Sequence, residues 1–469
     1  MSLRGGPAHR AYSVIVFVVL ASLDNVAIGL VPPLYGSIGR DLGVGEGRIA
    51  LATTVMFLIS AVAAIGWAYA GDRTDRKPVL IAGTLIWVLG TAWSGLAGSY
   101  PSFLLSQVLA AIGLGGVASV SFAVVSDLIS PRRRGLVMSF WGLSQGVGTL
   151  AGTLVGGLLG SSDWRRPFLI VAVAGVVATV AYVLTYNVPR GDSQPELEGV
   201  EYDERIHRDD LPRILARRTN IWLILQGFTA QIAFGSLVWL PVLFRARAED
   251  QGYSAATAVI VGSVFATLFQ LGGALSILGG LVGDRLQRRT PRGRALVAAV
   301  GVLAAVPFYV VLFFVPFRID VPDGGSTGAV IRAILRNVWT EPTVGLSLAT
   351  AIFALALTSA NSPNWFALIA DVNPPEHRGT VYSLGNLVNG FGRAGGNAFI
   401  AVAFRGLSGA FPPPLNYAVG LAAFQLFFIP TGVMYWLAGR TVARDMADTH
   451  AALATYSAKA DEVRPAPTP

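Results

Sequence analysis

The sequence predicts an all-α integral membrane protein, with twelve transmembrane helices arranged as two six-helix pseudo-repeats around a central cavity. Three observations predict this fold: the number of long uncharged runs, the distribution of Lys and Arg between the loops, and charged clusters that recur at corresponding places. The chain has 469 residues, of which 53% are hydrophobic and 13% are charged. A soluble protein carries about 25% charged residues.

Twelve runs are long enough to cross hydrocarbon, which takes about 20 helical residues. Runs 11–39 and 379–404 each contain one charge, Asp24 and Arg393 respectively. We expect the first run to be a retained anchor rather than a cleaved signal peptide. The ten charge-free runs are 49–71, the two parts of 78–126 on either side of 98–102, 135–162, 167–189, 219–244, 251–283, 295–317, 342–370 and 406–439.

The Lys and Arg residues orient these spans. With twelve spans, the side that holds both termini carries 24 of the 35 Lys and Arg residues, and the other side carries 10. The positive-inside rule therefore predicts a multi-pass protein with both termini in the cytoplasm. Arg outnumbers Lys 33 to 2, as in GC-rich bacterial genomes, which favours a plasma membrane. This topology accounts for the net charge of +8, so no nucleic-acid partner is expected.

Reactive residue types are scarce inside the spans. The chain has no cysteine, and its four histidines, His9, His207, His377 and His450, fall in loops or tails. We therefore expect no metal site and no cofactor. The spans hold no clustered carboxylates either, so we do not expect an enzyme.

Two pairs of charged clusters indicate that six helices were duplicated. GDRTDRK begins at Gly71 after the second span, and GDRLQRR begins at Gly283 after the eighth. In the second pair an Asp is followed, after six residues, by Arg-Gly: this is the spacing of Asp127 and Arg134 after the fourth span and of Asp371 and Arg378 after the tenth. Clusters that recur at equivalent places are the signature of a repeat.

The duplication divides the chain into four parts. We predict an N-terminal bundle over 1–188, a cytoplasmic linker over 189–219, a C-terminal bundle over 220–440 and a cytoplasmic tail over 441–469. The many charged residues of the linker predict a solvated tether with a short surface helix at 209–217. Parallel repeats of this kind are typical of secondary transporters, whose substrate site lies between the repeats.

The charged clusters resemble the signature of the major facilitator superfamily. Between helices two and three that family has, loosely, G-x-L-A-D-R-x-G-R-K, and this chain has AYAGDRTDRK from Ala68 to Lys77. The later copy runs from Gly280 to Arg289. The resemblance implies the major facilitator fold, and it places Asp72 near the start of helix eleven, around 379–382, and Asp284 toward helix five.

A carboxylate at a helix N-terminus accepts hydrogen bonds from the free N–H groups there. We therefore interpret the clusters as a cytoplasmic gate, with their arginines pairing with the nearby aspartates. The alternative is that the basic residues only set topology. The predicted gate residues are Asp72, Arg73, Arg76, Lys77, Asp127, Arg134, Asp284, Arg285, Arg288, Asp371 and Arg378.

Two further stretches carry a resemblance. GTLAGTLVGG, starting at Gly148, resembles the antiporter motif of the superfamily; it favours export, and ordinary helix packing explains it as well. Its small-residue face consists of Gly148, Gly152, Gly156 and Gly160. The N-terminal half, from LDNVAIGL onward, also resembles the Spinster-type lipid transporters. This chain has Asn25 and Gln107 where those proteins place arginines.

Asp24 and Arg393 are the two ionisable residues near the middle of predicted spans, where a charge costs at least about 2.5–3.5 kcal/mol and so marks function. Asp24 lies 14 residues after Arg10 and Arg393 lies 15 after Arg378, which places both at similar depth, about 21–23 Å along outward-running helices. We predict that they pair, directly or through substrate, and that Asp24 couples transport to protons. The alternatives are a permanent structural pair, or an Arg393 that binds substrate without contacting Asp24.

Asn and Gln side chains in the spans are further candidates for substrate binding. In SANSPNW, residues 359–365, Pro363 should distort the tenth span. For each amide taken singly, helix–helix hydrogen bonding is an alternative use. The candidate substrate-binding residues are Arg393, Asn25, Gln107, Gln226, Gln231, Asn361, Asn364, Asn386 and Asn389.

The sequence thus predicts a monomeric secondary active transporter in the lipid bilayer. Its small-molecule substrate would be amphiphilic or apolar, such as a lysolipid or a drug-like compound, because the spans contain so few charges. Proton-coupled export by alternating access is the leading interpretation. The alternatives are an uptake transporter for a small polar solute and a non-transporting membrane receptor or scaffold on the same fold.

Overall fold

The computed structural model describes residues 7–31, 34–129, 131–160, 163–185, 188–191, 194–197, 202, 204–207 and 209–463. Parts of the predicted linker and the end of the predicted tail, including 198–201 and 464–469, lie outside these residues. The described residues form helices and connecting segments, with no strand among them.

The first eight α-helices lie before the second repeat, and α8 confirms the predicted surface helix. They are α1 (Pro7–Gly29), α2 (Tyr35–Asp41), α3 (Glu46–Arg73), α4 (Arg76–Gly95), α5 (Tyr100–Leu128), α6 (Arg134–Leu159), α7 (Arg165–Val183) and α8 (Asp210–Ala216).

Twelve more α-helices follow in the described chain. They are α9 (Arg218–Ser236), α10 (Leu240–Asp250), α11 (Ala255–Phe269), α12 (Leu271–Ala274), α13 (Ser276–Gln287), α14 (Gly293–Phe314), α15 (Thr327–Thr340), α16 (Pro342–Ser359), α17 (Asn361–Val372), α18 (Arg378–Leu407), α19 (Leu415–Gln425) and α20 (Phe428–Val463). Short 3-10 helices occupy Pro131–Arg133, Pro195–Leu197 and Leu237–Trp239.

These helices account for the predicted spans. Ten segments of the described chain are long and apolar enough to cross a membrane. Two further long helices, α6 and α18, occupy the remaining predicted spans, the fifth and the eleventh. Their apolar stretches are diluted by glycines and polar residues, including Arg393 in α18. The twelve-helix fold class predicted from the sequence is confirmed.

The tenth span is interrupted where the sequence predicts a distortion. Helix α16 ends at Ser359 and α17 begins at Asn361, two residues before Pro363. Proline has no N–H for the carbonyl four residues earlier, and its ring crowds that carbonyl. The seventh, eighth and twelfth spans are also divided, at 237–239, 270–275 and 426–427. In the first repeat, the second to sixth spans each consist of one helix, whereas the first predicted run, 11–39, includes the end of α1 and most of α2.

The chain packs as two compact units. The first contains residues 1–220, 366–387 and 443–469. In its core α4 packs against α5 and α7, and α1 packs against α6. The rings of Phe103, Trp164 and Phe168 meet edge to face, with centroids 6.0–6.2 Å apart.

The second unit contains residues 221–365 and 388–442. Here α10 packs on α11, and α14 on α16. The stacked rings of Phe244 and Phe265, with centroids 4.7 Å apart, both contact Phe317 edge to face. In the first unit, by contrast, α7 shows the surface expected of a lipid-facing helix, because Val173 and Val177 are each 64% exposed.

Candidate functional site

Buried charges gather within the first unit, where the two copies of the motif with Asp followed after six residues by Arg-Gly contact each other. Asp127, at the end of α5, pairs with Arg378, at the start of α18. Arg134, at the start of α6, pairs with Asp371 of α17 at 2.9 Å. Each Asp of the motif therefore binds the Arg of the other copy. We call Asp72, Arg76, Asp127, Arg134, Asp371 and Arg378 the charged cluster.

The charged cluster is shielded from solvent. Asp127 and Arg378 have no exposed surface, and Arg134 is 1% exposed. Arg76 binds Asp127 from the other side at 2.5 Å and donates to the carbonyl oxygen of Pro375 at 2.8 Å. Removing one partner of a buried ion pair strands the other charge and typically costs about 3–5 kcal/mol. These pairs therefore fix this end of the first unit strongly.

Asp72 lies at the N-terminus of α18, the position that the family resemblance implies. Its Oδ2 accepts hydrogen bonds from the Thr380 backbone N–H at 2.8 Å and from the Thr380 hydroxyl at 3.0 Å. Arg76 stands 3.7 Å away. A Cβ atom on Gly379 would lie 2.9 Å from Asp72 Oδ1, so glycine allows this close approach without displacing the carboxylate. The carboxylate thus accepts from one backbone N–H of a helix end that favours negative charge, and from the hydroxyl of the same residue.

Asp284 occupies the second copy of that motif and lies in the second unit. It is 3% exposed and binds Arg294 at 2.7 Å. Arg285 and Arg288 are exposed, and Arg288 Nε donates to the Asp284 carbonyl oxygen at 3.3 Å. The expected approach of Asp284 to helix five stays a prediction.

Two predicted gate residues have local partners instead of carboxylates. Lys77 donates to the carbonyl oxygens of Val183 and Thr185, at 2.8 and 2.7 Å, and so caps the end of α7. Arg73 is exposed and donates to the Tyr69 hydroxyl at 3.0 Å. Of the basic residues in the first GDR cluster, Arg76 alone forms an ion pair within the charged cluster.

The predicted linker binds beside the charged cluster, which sequence analysis did not anticipate. Tyr202 donates its hydroxyl to Glu376 at 2.9 Å. Arg190 donates to the carbonyl oxygens of Gly71 and Thr74, at 3.0 and 2.6 Å. The described linker residues are therefore bonded to the bundle rather than serving only as a solvated tether.

Two titratable groups of this region lie outside the spans. Burial raises the pKa of Glu376 to about 7. Burial also lowers the pKa of His377 to about 4, because the charged imidazolium loses its hydration, although Asp210 stands 3.7 Å away. Both side chains are thus biased toward their neutral forms.

The glycine face of α6 forms a close seam with α1. A Cβ atom on Gly148 would clash with the Ser22 carbonyl oxygen, and one on Gly152 with that of Val26. Gly160 packs against the Leu34 side chain, and Gly156 is buried. Small residues allow such backbone contact between membrane helices.

The second unit repeats this seam between α18 and α9. A Cβ atom on Gly392 would clash with the Phe228 carbonyl oxygen, and one on Gly396 with that of Ile232. These glycines lie 244 residues after Gly148 and Gly152, the offset that also separates Asp127 from Asp371. The duplicated helices therefore pack alike in both units.

Both membrane-embedded charges lie beside these seams. Asp24, on α1, is 4% exposed, and its Oδ1 accepts from the Asn25 backbone N–H at 2.8 Å and from the Asn25 side chain at 3.1 Å. Arg393 follows Gly392 on α18, is exposed, and forms no ion pair with the described residues of its own unit. The predicted pair joins two separately packed units and stays a prediction.

Several amide candidates bond neighbouring helices. Asn364 is fully buried and donates to the carbonyl oxygens of Gly279 and Ala360, at 3.1 and 2.7 Å. Asn361 accepts from the Tyr435 hydroxyl. Asn389 abuts Gly227, Gln231 lies beside Gly392, and Asn386 is half-buried.

Three of the buried candidate amides, Gln107, Gln226 and Asn364, have unused hydrogen-bonding capacity. Gln107 donates to the Ser94 hydroxyl at 2.8 Å, and Gln226 donates to the Leu223 carbonyl oxygen at 3.1 Å. In all three the side-chain oxygen is buried without a hydrogen-bond donor among the described residues. A buried acceptor without a donor is uncommon, so these three oxygens could each accept a hydrogen bond from a bound molecule or water.

Comparison with known proteins agrees with this architecture. The chain is 25% identical to Protein spinster homolog 3 of Danio rerio over 281 residues, which cover 57% of this chain and 55% of that relative. It is 25% identical to the sphingosine-1-phosphate transporter SPNS2 of Danio rerio over 356 residues, covering 71% of each. This chain thus spans little more than half the length of the first relative.

A solved structure shares the fold. A bacterial homolog of the human lysosomal transporter Spinster, in an inward-facing and unoccupied conformation, superposes with a TM-score of 0.57 at 20% identity, covering 94% of this chain and 99% of that one. The family model described as Major Facilitator Superfamily matches residues 15–397. The chain therefore belongs to the major facilitator superfamily and resembles its Spinster-type members.

Proposed function

We propose that this protein is a secondary active transporter that moves a small amphiphilic or apolar molecule by alternating access. The observation that carries the proposal is the exchange of partners in the charged cluster, Asp127 with Arg378 and Arg134 with Asp371. Each pair ties one copy of the duplicated motif to the other. Opening this end of the protein requires both pairs to break, so they act as a latch that closes one side of the membrane.

In this proposal both termini and the charged cluster face the cytoplasm, and the protein works as a monomer in the plasma membrane. The excess of Lys and Arg on that side supports the orientation. Asp72 adds to the latch because it caps α18, a helix whose N-terminus it would leave when the gate opens. Membership of the superfamily supports transport as the activity.

Proton coupling is assigned to Asp24. Its equivalent in the second unit, two residues after Phe228, is the neutral Ala230, and the equivalent of Arg393 is Thr149. The two embedded charges therefore occupy positions that are not equivalent in the two repeats, although each lies beside a matched glycine seam. Asp24 would hold a proton when apart from a cation and release it when Arg393 or a cationic group approaches.

The proposed substrate is a single-chain lipid or a drug-like amphiphile, and the proposed direction is export. One relative is named a sphingosine-1-phosphate transporter, which favours a lipid substrate. An anionic headgroup would suit Arg393, which is exposed and has no carboxylate partner among the described residues of its unit. The free amide oxygens of Gln107 and Gln226 would accept hydrogen bonds from its hydroxyl or amine groups.

Proteoliposomes loaded with fluorescent lysophosphatidylcholine test this function under an imposed pH gradient. Asp24→Asn should lower gradient-driven flux by at least about tenfold, because the neutral side chain cannot exchange a proton, while counterflow exchange continues. Thr149→Val, at the equivalent of Arg393, is the matched control and should transport normally. Full gradient-driven flux in Asp24→Asn would remove Asp24 from the coupling mechanism.

The same assay separates the alternatives. Flux of a labelled sugar but of no amphiphile would favour an uptake transporter for polar solutes. Absence of flux for lysolipids, drugs and sugars in protein that retains its thermal stability would favour a receptor or scaffold.

A further inference from the structure

The connection between α14 and α16 contains the amphipathic helix α15. One side of α15 packs on the second unit: Val330 and Ile334 are fully buried, and Asn337 is 1% exposed. The Asn337 amide exchanges two hydrogen bonds with the backbone of Asp320, at 2.9 and 2.8 Å. Ser326 caps the helix by accepting from the Ala329 N–H at 3.4 Å. Helix α15 is therefore fixed to the bundle.

The outer side of α15 presents apolar and cationic residues together. Arg332, Leu335, Arg336 and Trp339 follow the spacing of one helix face. Trp339 is 89% exposed and Leu335 is 45% exposed, so the face leaves a large apolar area uncovered. Arg336 approaches Asp320 at 3.8 Å, but both side chains are more than 60% exposed, which makes this pair weak.

Helix α15 and the connection that leads to it lie next to the ends of two spans. Trp339 precedes Pro342, the first residue of the tenth span, by three residues. The connection that leads to α15 is bonded to residues just after Asp250, the end of the seventh span: Gln251 donates to the Phe317 carbonyl oxygen at 2.8 Å, and Tyr253 donates to that of Ile319 at 2.8 Å.

Exposed apolar residues lie at the ends of the two spans that α15 connects. Phe314, the last residue of α14, is 46% exposed, and Leu346, one turn into α16, is 48% exposed. Because α15 packs against α16, its exposed apolar face lies near this end of the spans. Trp is the residue enriched at that boundary, and Arg attracts anionic headgroups.

We propose that the stripe of Arg332, Leu335, Arg336 and Trp339 on α15 is a lipid-binding surface that lies in the membrane interface and binds anionic headgroups. Leu335 and Trp339 enter the boundary between headgroups and acyl chains, while the two arginines pair with lipid phosphates. This is how an interfacial amphipathic helix binds a bilayer. The surface requires no assumption about the transported substrate.

Site-directed fluorescence tests the surface in the full chain. Because the chain has no cysteine, Leu335→Cys gives one labelling site for an environment-sensitive fluorophore. Thr327→Cys is the matched control, since Thr327 is exposed on the same helix but lies off the stripe. Both proteins are reconstituted in phosphatidylcholine vesicles, with and without phosphatidylglycerol, and carry lipid with a headgroup-proximal nitroxide quencher.

The label at 335 should emit at shorter wavelength than the label at 327 and be quenched at least about twofold more. Phosphatidylglycerol should increase that difference, and Arg332→Gln with Arg336→Gln should abolish the increase. Equal, water-like emission from the two labels would overturn the proposal. Equal quenching of both labels would overturn the assignment to this stripe. If phosphatidylglycerol did not change the quenching, the proposed binding of anionic headgroups would be overturned.

Discussion

Helices α6 and α18 are equivalent helices of the two repeats, and they differ where it matters for function. Each begins with an Arg of the charged cluster, and each packs through two glycines on carbonyl oxygens of the first helix of its repeat. In the first unit the embedded charge is Asp24, on the partner of α6; in the second it is Arg393, on α18 itself. Packing was thus retained after duplication while the charges diverged.

The N-terminal ends of α6 and α18 provide a second comparison between the two repeats. Their arginines do not pair with the Asp of their own motif copy but with that of the other copy. The loops before them also diverged: Glu376 and His377 stand 244 residues after Arg132 and Arg133. Similar spacing therefore produces equivalent backbone positions that carry chemically different side chains. The three predictions below test which equivalent positions behave alike.

We expect the largest loss of stability at the ion pairs that join the two copies of the motif. Asp127→Asn leaves Arg378 and Arg76, which are 0% and 5% exposed as side chains, without the carboxylate that binds both. We expect a loss of about 3–5 kcal/mol in unfolding free energy, seen as a lower melting temperature of the purified protein.

Asp41→Asn is the control, because Asp41 pairs with Arg165 at 2.8 Å while 44% of its side chain is exposed. Loss of that surface pair should cost less than about 1 kcal/mol. If Asp127→Asn and Asp41→Asn lowered the unfolding free energy equally, the ion pairs of the charged cluster would not be what stabilises this end of the first unit.

The glycine seams should respond equally in the two units. Gly152→Ala and Gly396→Ala each force a methyl group against a carbonyl oxygen, so each should cost about 1–3 kcal/mol by thermal unfolding. Gly146→Ala in α6 meets no atom within 4 Å and should be neutral or stabilising. A clear difference between the two seam variants would break the equivalence of α6 and α18.

The smallest effect is a pH dependence confined to the second copy of the loop. The folded protein holds the pKa of Glu376 at about 7, above the usual 4.5, so its stabilising contribution is complete below pH 4.5 and is lost as pH rises toward 7. His377 acts oppositely: its pKa is lowered from 6.5 to about 4, so stability is lost as pH falls from 6.5 toward 4.

Single variants should separate these two slopes. Between pH 4.5 and 6.5, Glu376→Gln should lose melting temperature on acidification relative to the unsubstituted protein, because His377 then acts alone. His377→Gln should lose it as the pH rises. Parallel melting curves for all three proteins would show that neither group titrates differently on unfolding.

The sequence by itself determined the spans, the repeat and the place of the break in the tenth span. Uncharged runs of the right length leave a chain no alternative to helices in hydrocarbon, because each backbone polar group must be satisfied within its own segment. Pro363 acts through its neighbours in the chain, so its effect was predictable. The Asp72 contact was reachable as well, through the resemblance carried by AYAGDRTDRK.

The tertiary structure alone decided which charges pair and what the linker binds. Two copies of one motif offer two ways to match each Asp with an Arg, and only the packing of α5 and α6 with α17 and α18 selects the exchanged one. Tyr202 gave no sequence signal for Glu376, 174 residues later. Spacing along the chain specifies which residues share a helix face; it does not specify which distant side chains meet, since that depends on how whole helices pack.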